Sequence, residues 1–268
     1  MKDKISQQHL VGAVLIMVLM IGISISTGFE VSQDTVEAGA IEYVVTDYET
    51  QAYGDYLYFK QINISNSFVS ASLTNFPMLI HDDTGNLKDN VTDNASDIAF
   101  FDSTKNTQFN HEIERYISGT GELWAHVNIT SVTADATTVI YMYYNDTDGS
   151  YPVGHNPESV WDSNFVLVQH LNGSTNITCT DATSNDNDVY ASVGTPDYQQ
   201  TGVTGYGVSF SKATEEGLRI DNSLSLNVSE NFTAECWVKP ASTGNGGRIF
   251  GKYNLDSQRT WTIFDSKS

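Results

Sequence analysis

Six short blocks of apolar or alternating residues between Leu57 and Asn145 constrain the fold of this chain more than any other feature of its sequence. Turn residues separate the blocks, and no helical period of apolar residues lies between them. The blocks are YLYFKQINIS, SLTNFPMLI, SDIAFFDS, FNHEIERY, TGELWAHVNI and TTVIYMYYN. Strands at this spacing are typical of a β-sandwich, and we predict one over residues 55–151.

The same six blocks, taken in order, resemble domain-of-unknown-function family 2341, a β-rich module of prokaryotic surface and secreted proteins. The resemblance covers about a third of the chain. One departure lies at its end, where the family has a Tyr-Tyr-Gly-Asn-like turn and this chain continues from Tyr143 and Tyr144 into Asn145 and Asp146. Asparagine tolerates a positive φ, so we expect the turn to form. The resemblance implies a surface module whose biochemical role is unsettled.

A second strand pattern begins at Val160 and continues to the last residues of the chain. Its order is a buried strand in VWDSNFVLVQHLNG, a polar loop, and then several strands that alternate with turns. This order resembles the laminin-G-like, concanavalin A-like jelly rolls found beside the first family. The residues that carry the resemblance are Asp181 to Asp188, Val208, Phe210, Leu218 to Leu226, and Phe232 to Pro240.

The second pattern is short for a jelly roll. Such a fold needs roughly 150 to 200 residues to fill two packed sheets, and only about 110 are present from Val160 onward. We therefore predict a jelly roll over residues 160–268 that is truncated at its C-terminus, behind a linker at residues 152–159. A reduced sandwich that closes differently is the alternative. The predicted fold class is all-β, with two tandem β-sandwich domains behind one N-terminal transmembrane helix.

The N-terminal helix is predicted from an almost unbroken apolar run between Leu10 and Ile25. The run is shorter than the ~20 residues that usually cross a bilayer. Lys2 and Lys4 precede it and acidic residues follow it, which favours an N-terminus inside and the rest of the chain outside. We therefore predict a signal anchor within residues 1–29, a single-pass location in the cell membrane, and a linker at residues 30–54.

Other interpretations of this run stay open. It is also compatible with the h-region of a cleaved signal peptide, which would leave the protein secreted. It faintly resembles an archaeal type IV pilin-like segment, although the basic residue and glycine expected just before the run are missing. A buried helix of a soluble protein is the last alternative, but nothing else in the chain is helical for it to pack against.

The charge of the chain limits its partners. There are 33 acidic and 13 basic residues, for a formal net charge of −20. Phosphate backbones would be repelled, so we expect no nucleic acid partner. Such acidity is compatible with a saline environment or with cation binding. It is equally compatible with a solvated surface whose charge makes molecules of the protein repel one another.

Two kinds of modification site are predicted for an exported chain. Outside the cell, Cys179 and Cys236 would form a disulfide, although a buried free thiol at Cys236 is the alternative. Nine sequons are candidates for N-glycosylation in a host with that machinery. Their asparagines are Asn63, Asn90, Asn94, Asn128, Asn145, Asn172, Asn176, Asn227 and Asn231.

The polar loop from residue 181 to residue 188 is a candidate calcium site. It offers many hard oxygen atoms, which calcium prefers, and jelly rolls related to the second resemblance often carry calcium near their loops. The candidate ligands are Asp181, Asn185, Asn187 and Asp188. The loop lacks the glycine and closing glutamate of an EF-hand, and turns rich in Asp and Asn also form without a metal.

No motif in the sequence points to catalysis. Glu112 and Glu114 alternate, so they share one face of a predicted strand, but the first resemblance alone accounts for them. The Glu-x-Asp-x-Glu run of some glycosidases with a jelly-roll fold is absent, as is a Gly-x-Ser-x-Gly context. Histidines 111, 126, 155 and 170 have no short metal-ligand spacing, and we expect His170 to be structural. We expect no enzymatic activity.

Aromatic residues are the remaining candidates for ligand contact. Sugars are commonly held against exposed aromatic faces, but most aromatic residues of a sandwich belong to its core. Trp124, Trp161 and Trp237 are compatible with either role. In the predicted strand from Leu123 to Ile129, alternation turns Trp124, His126 and Asn128 outward and the intervening residues inward.

These features predict an exported, non-catalytic cell-surface protein. Its lectin-like second domain would bind a glycan or a protein outside the cell, a step that rests on family analogy because a fold does not fix a ligand. One alternative is a structural stalk or filament component whose sandwiches are spacers. Another is a set of accessory domains from an enzyme that degrades polysaccharides.

Overall fold

The computed structural model describes residues 14–15, 19–22, 43–48, 54–67, 69–146, 154–228, 231–240, 248–253 and 259–264. Within these ranges the chain forms eighteen strands and three short 3₁₀ helices, so the prediction of an all-β fold is confirmed. The strands are β1 (Val14–Leu15), β2 (Leu19–Gly22), β3 (Tyr43–Tyr48), β4 (Tyr56–Ile64), β5 (Leu73–Asp82), β6 (Ala99–Asp102), β7 (Gln108–Phe109), β8 (His111–Ile117), β9 (Glu122–Val132), β10 (Thr138–Asp146), β11 (Phe165–Gln169), β12 (Val189–Val193), β13 (Asp197–Thr201), β14 (Tyr206–Ser209), β15 (Gly217–Ile220), β16 (Thr233–Glu235), β17 (Arg248–Tyr253) and β18 (Arg259–Phe264).

The predicted membrane-targeting segment at residues 1–29 lies outside the described residues, apart from the short strands β1 and β2. Across the part of the chain that the structure describes, no helix is both long and apolar enough to cross a membrane. Most of the predicted linker at residues 30–54 is likewise outside the described residues.

The chain divides into two compact units, which we call the first unit (Ser24–Phe165) and the second unit (Met1–Ile23 with Val166–Ser268). The first unit contains a five-stranded sheet with the order β3-β4-β10-β6-β7 and a three-stranded sheet with the order β5-β9-β8. All of its strand pairs are antiparallel. One apolar cluster draws side chains from both sheets, as expected of a sandwich.

That core follows from the alternation of its strands, which turns every second side chain inward. In β9, Leu123, Ala125, Val127 and Ile129 are buried as predicted. The other main core residues are Ile62, Ile64, Met78, Ile80, Leu87, Ile98, Phe100, Phe109, Val132, Ile140, Met142 and Tyr144.

Two features at the ends of the first unit bear on the predictions. Strand β3 pairs with β4 along its whole length, so the sandwich begins upstream of residue 55, inside the predicted linker. At the other end, Asn145 has a φ of 59° within the last residues of β10. Asn145 thus has the positive φ that asparagine tolerates, while the residues after Asp146, where we predicted the turn, lie outside the described residues.

A fully buried pair of opposite charges connects the two sheets of the first unit. The side chains of Lys60 on β4 and Asp82 at the end of β5 are both 0% exposed, with 2.7 Å between Nζ and Oδ2. Lys60 has the same parity as Ile62 and Ile64, and Asp82 the same parity as Ile80, so both residues point into the core. Neither was identified from the sequence.

The second unit consists of smaller sheets. The strand orders are β1-β14-β13, β11-β2-β16, β12-β15 and β17-β18. Two apolar clusters lie in this unit, one around Val166, Leu167, Leu226 and Val228 and the other around Leu171, Cys179, Val189 and Val208. The strand predicted at the TWTIF sequence is present as β18.

The turn between β8 and β9 yields a test of the first unit. Gly121 has a φ of +77°, and a Cβ there would lie 2.5 Å from the Lys88 nitrogen and 2.9 Å from the Gly85 oxygen. We expect Gly121→Ala to lower the free energy of unfolding by more than about 1 kcal/mol. Gly119→Ala is the matched control, because a Cβ at Gly119 meets nothing within 4 Å. Urea unfolding of both variants measures the difference, and equal midpoints would contradict the turn geometry.

Candidate functional site

The segment from residue 154 to residue 161, which we call the covering segment, runs along the edge strand β8 and then over the outer face of the three-stranded sheet. The backbone N–H of His111, the first residue of β8, donates to the Gly154 oxygen at 2.8 Å, and the N–H of Asn156 donates to the His111 oxygen at 3.1 Å. A parallel bridge pairs His111 with His155. Residues 154–159 were predicted to be a linker, but the structure has them bound to β8.

Glu112, Glu114, His126 and Trp161 form a buried polar cluster on this face. The Trp161 indole N–H donates to Glu112 Oε2 at 3.2 Å, and His126 Nε2 lies 2.9 Å from Glu114 Oε2. The His126 and Trp161 rings are 5.0 Å apart. All four residues are buried. Trp161 was predicted to belong to the second domain, but it packs in the first unit.

A β-bulge in β8 explains how two glutamates reach one cluster. The register with β9 shifts between Ile113 and Arg115, so Glu114 is an extra residue in the ladder. Glu112 lies opposite His126, and residues opposite each other in an antiparallel pair share a face. The predicted common face of the two glutamates is therefore present, and the bulge places Glu114 within reach of His126.

This arrangement differs from the carboxylate pair of a glycosidase. Such a pair needs open access, because the two carboxylates must flank a glycosidic bond. Here one carboxylate binds an indole N–H and the other binds an imidazole, and both lie beneath Trp161 or its neighbours with little exposed surface. These contacts hold the covering segment and the sheet together.

His111 precedes Glu112 in β8, lies opposite the core residue Val127 and so faces the core, and carries a strongly perturbed pKa. Its ring packs 5.2 Å from the Phe100 ring and 5.5 Å from the His155 ring. Burial is the main cause that lowers the pKa of His111 to about 3, and the nearby charge of His155 acts in the same direction. Burial also lowers the pKa of His155. A buried neutral histidine at this position makes the covering segment sensitive to acid.

The two tryptophans of the first unit do not offer open faces. Trp161 is 5% exposed. The Trp124 ring is stacked 4.6 Å from the His81 ring at 12°, and the Arg115 guanidinium lies 5.3 Å from its centroid. Trp124 and His126 point outward from β9, as predicted. Both side chains are nevertheless buried, because other residues cover this face.

Trp237 differs from the other two. It follows β16 in the second unit and is 48% exposed. Its neighbours from Val238 to Pro240 are exposed as well. Among the three tryptophans that the sequence singled out, Trp237 is the one whose surface is available to a ligand.

The predicted calcium loop is organised around the carboxylate of Asp181. Oδ1 accepts the backbone N–H of Val168 at 2.9 Å and that of Thr183 at 3.0 Å. Oδ2 accepts the Thr183 hydroxyl at 2.8 Å and the Asn187 N–H at 3.0 Å. Burial raises the pKa of Asp181, and these four hydrogen bonds oppose that shift. The carboxylate therefore ties the loop to β11.

The other predicted ligands divide between the interior and the surface. Asn187 is buried and its Nδ2 donates to the Val166 oxygen at 2.7 Å. Asp188 is exposed, and its Oδ1 accepts the Asp181 N–H at 2.7 Å. Asn185 is exposed too. The geometry supports the interpretation of a turn that forms by its own hydrogen bonds, and calcium at the exposed side chains stays a prediction.

The cysteines and the sequons complete the predicted sites. Cys179 and Cys236, which we predicted to be bridged, are free thiols in the structure, and burial raises the pKa of each. Asn94, Asn227 and Asn231 are the exposed sequon asparagines, whereas Asn63, Asn90, Asn128, Asn145, Asn172 and Asn176 are partly buried. The Asn128 amide nitrogen donates to the Ser159 oxygen at 2.9 Å, so the covering segment already uses it.

The pKa of His111 predicts how acid affects the first unit. The unfolded chain takes up this proton near pH 6.5, whereas the folded chain resists it down to about pH 3. The stabilising effect of the neutral ring is therefore complete above pH 6.5 and is lost as the pH falls towards 3, on the order of 5 kcal/mol in total. Urea unfolding between pH 7 and pH 3 should show this loss, and His111→Gln should flatten the profile. An NMR titration of the His111 ring near pH 6.5 would contradict the prediction.

The Asp181 contacts predict a local effect on stability in the second unit. Asp181→Asn replaces a carboxylate oxygen by an N–H₂ group that faces N–H donors, which should cost about 2 kcal/mol. Asp186→Asn is the matched control, because Asp186 is exposed in the same loop and asparagine tolerates its φ of 53°. Hydrogen exchange at the amides of Val168, Thr183 and Asn187 measures the change. Equal protection in the two variants would show that the carboxylate does not hold the loop.

No family model matches this chain, and the searches of curated proteins and of solved structures found no match either.

Proposed function

We propose that this chain is an exported, non-catalytic cell-surface protein whose second unit binds a polysaccharide. In this proposal the first unit is a module like those of domain-of-unknown-function family 2341, and the second is a laminin-G-like jelly roll. The N-terminal segment at residues 1–29 anchors the chain in the cell membrane with residues 30–268 outside, or is cleaved to release a secreted protein. The proposal rests on the strand patterns of the sequence and on the exposure of Trp237.

The exposure of Trp237 is the observation that carries the proposed binding site. An aromatic side chain has a large apolar face, and in water that face is stabilised by covering it with a ligand. Lys239 lies two residues further on and is exposed, so a polar group is available beside the ring. Sugar rings present an apolar face and a rim of hydroxyl groups, which suits this combination.

The net charge narrows the class of polysaccharide. With a formal net charge of −20, the chain repels anionic polymers, and salt limits the distance over which this repulsion acts. We therefore propose a neutral polysaccharide as the ligand. A protein ligand at the same surface is the other outcome that the binding test would distinguish, and calcium at the loop of Asn185 and Asp188 is a proposed cofactor.

The absence of catalysis is part of the proposal and is supported by the state of the paired glutamates. Glu112 and Glu114 are buried in contacts with Trp161 and His126. A role as accessory domains of an enzyme that degrades polysaccharides would use the same binding surface. A structural stalk or filament component is the second candidate, and the buried pair of Lys60 and Asp82 favours it because it joins the two sheets of the first unit.

Binding to a panel of neutral and anionic polysaccharides, with and without calcium, tests the proposal. We expect a neutral polymer to bind, and Trp237→Ala to weaken that binding tenfold or more, which corresponds to about 1.4 kcal/mol. Leu224→Ala is the matched control, since Leu224 is an exposed apolar side chain of the same unit that is not aromatic. Failure of every polymer to bind, or equal binding by Trp237→Ala and the wild type, would leave the structural stalk as the better proposal.

A further inference from the structure

Three groups meet at one point in the core of the first unit: Lys60 Nζ, the Asp82 carboxylate and the Thr84 hydroxyl. Nζ lies 2.7 Å from Asp82 Oδ2 and donates to Thr84 Oγ1 at 2.6 Å. The Thr84 hydroxyl in turn donates to Asp82 Oδ1 at 2.7 Å. An amine and a carboxyl group from facing sheets are thus held together where neither side chain touches water.

The two oxygens of the Asp82 carboxylate have different hydrogen-bond partners. Oδ1 accepts two hydrogen bonds, one from the Thr84 hydroxyl and one from the Thr84 backbone N–H at 3.0 Å. Oδ2 is buried and, within the described part of the chain, has no hydrogen-bond donor aligned on it, although Nζ is 2.7 Å away. One oxygen is therefore held as an oxyanion would be, and the other lies beside the amine nitrogen.

Proton transfer can start the reaction that this contact allows. Among the described residues Asp82 Oδ2 accepts no aligned hydrogen bond, and it lies 2.7 Å from Nζ. A proton that passes from the Nζ ammonium group to Oδ2 frees the Nζ lone pair and leaves a neutral carboxylic acid, whose Cγ an amine attacks more readily than the Cγ of a carboxylate.

We propose that Lys60 and Asp82 condense to an intramolecular amide, an isopeptide crosslink between Nζ and Cγ that joins β4 to β5. The Nζ lone pair attacks Cγ, and the negative charge that develops on Oδ1 is stabilised by the two Thr84 donors. The Cγ–Oδ2 bond then breaks, and Oδ2 leaves as water with two of the three protons that the ammonium group carried. The third proton stays on the amide nitrogen, so atoms and charges balance without an oxidant or a co-reactant.

The fold supplies what this reaction lacks in solution. Groups held in contact by a folded scaffold react with effective concentrations far above any that free solutes reach. The dry core disfavours the return of water to the product amide, and Thr84 is itself exposed at the rim, which gives the released water a path to solvent. Folding precedes the reaction, because only the packed sandwich brings β4 and β5 face to face.

Tryptic mapping of the full-length folded protein tests the crosslink. Trypsin cleaves after free lysine, and the lysines that bound this region are Lys4, Lys60 and Lys88. In the crosslinked protein the cut after Lys60 is blocked, so residues 61–88 do not appear as a separate peptide. The undivided peptide that contains Lys60 and Asp82 instead has a mass lower by one water. A wild-type digest that is fully cut after Lys60, with residues 61–88 at unmodified mass, would overturn the proposal.

Matched variants identify the reacting atoms. Lys60→Arg keeps the positive charge but removes the amine, so its peptides should have the masses of the linear sequence. Asp82→Asn should still condense, with loss of ammonia in place of water, and should yield the same crosslinked peptide as the wild type. A crosslink of unchanged mass and position in Lys60→Arg would overturn the assignment to Lys60.

The role of Thr84 is tested by the rate at which the crosslink forms when unfolded, uncrosslinked protein is diluted from denaturant. Brief expression supplies this uncrosslinked protein. Thr84→Ser keeps the hydroxyl, so its crosslink should form at a rate close to that of the wild type. Thr84→Val has a similar volume but no hydroxyl, and we expect it to react at least tenfold more slowly. Equal rates in these two variants would overturn the role of the Thr84 hydroxyl at Oδ1.

Discussion

The contact between Lys60 and Asp82 is the constraint on which the first unit depends, because it decides how its two sheets can meet. Both residues occupy positions that the alternation of their strands turns inward. Removing one partner alone would leave an uncompensated buried charge, which typically costs about 3 to 5 kcal/mol. The apolar residues around the pair supply most of the buried surface between the sheets. The pair adds a directional contact, which is made only where β4 and β5 face each other at these two residues.

On the outer face of the three-stranded sheet, other buried polar side chains also contact one another. A bulge at Glu114 turns a second carboxylate towards His126, and the covering segment brings Trp161 over Glu112. Glu112 thereby contacts the Trp161 indole N–H, and Glu114 contacts the His126 ring. The first unit thus holds polar contacts on one covered face and the pair of Lys60 and Asp82 within its apolar core, and such contacts help to specify a single arrangement.

The strands were predictable because alternation records which face of a sheet is buried. For β9 the pattern gave both its position and its inward residues correctly. The pattern could not predict what covers the other face. Trp161 and Glu112 are far apart in the sequence, and no local pattern around either residue indicates that they will be in contact. The Lys60–Asp82 pair was missed for a related reason: a charge within an alternating block indicates a solvent-facing side chain or the end of a strand. Only the pairing of distant strands reveals that two such charges compensate each other.

In the second unit, side chains that are candidate metal ligands in the sequence already form hydrogen bonds within the fold. Asp181 and Asn187 have the oxygen atoms that a cation prefers, yet their hydrogen bonds go to the backbone of their own loop and of β11. The paired glutamates of the first unit also have partners, which are the side chains of Trp161 and His126. Trp237 is exposed, whereas Trp124 and Trp161, the other two candidates for ligand contact, are buried. The sequence alone offers the three tryptophans equally, because residue type does not reveal which side chains the packing of distant strands covers.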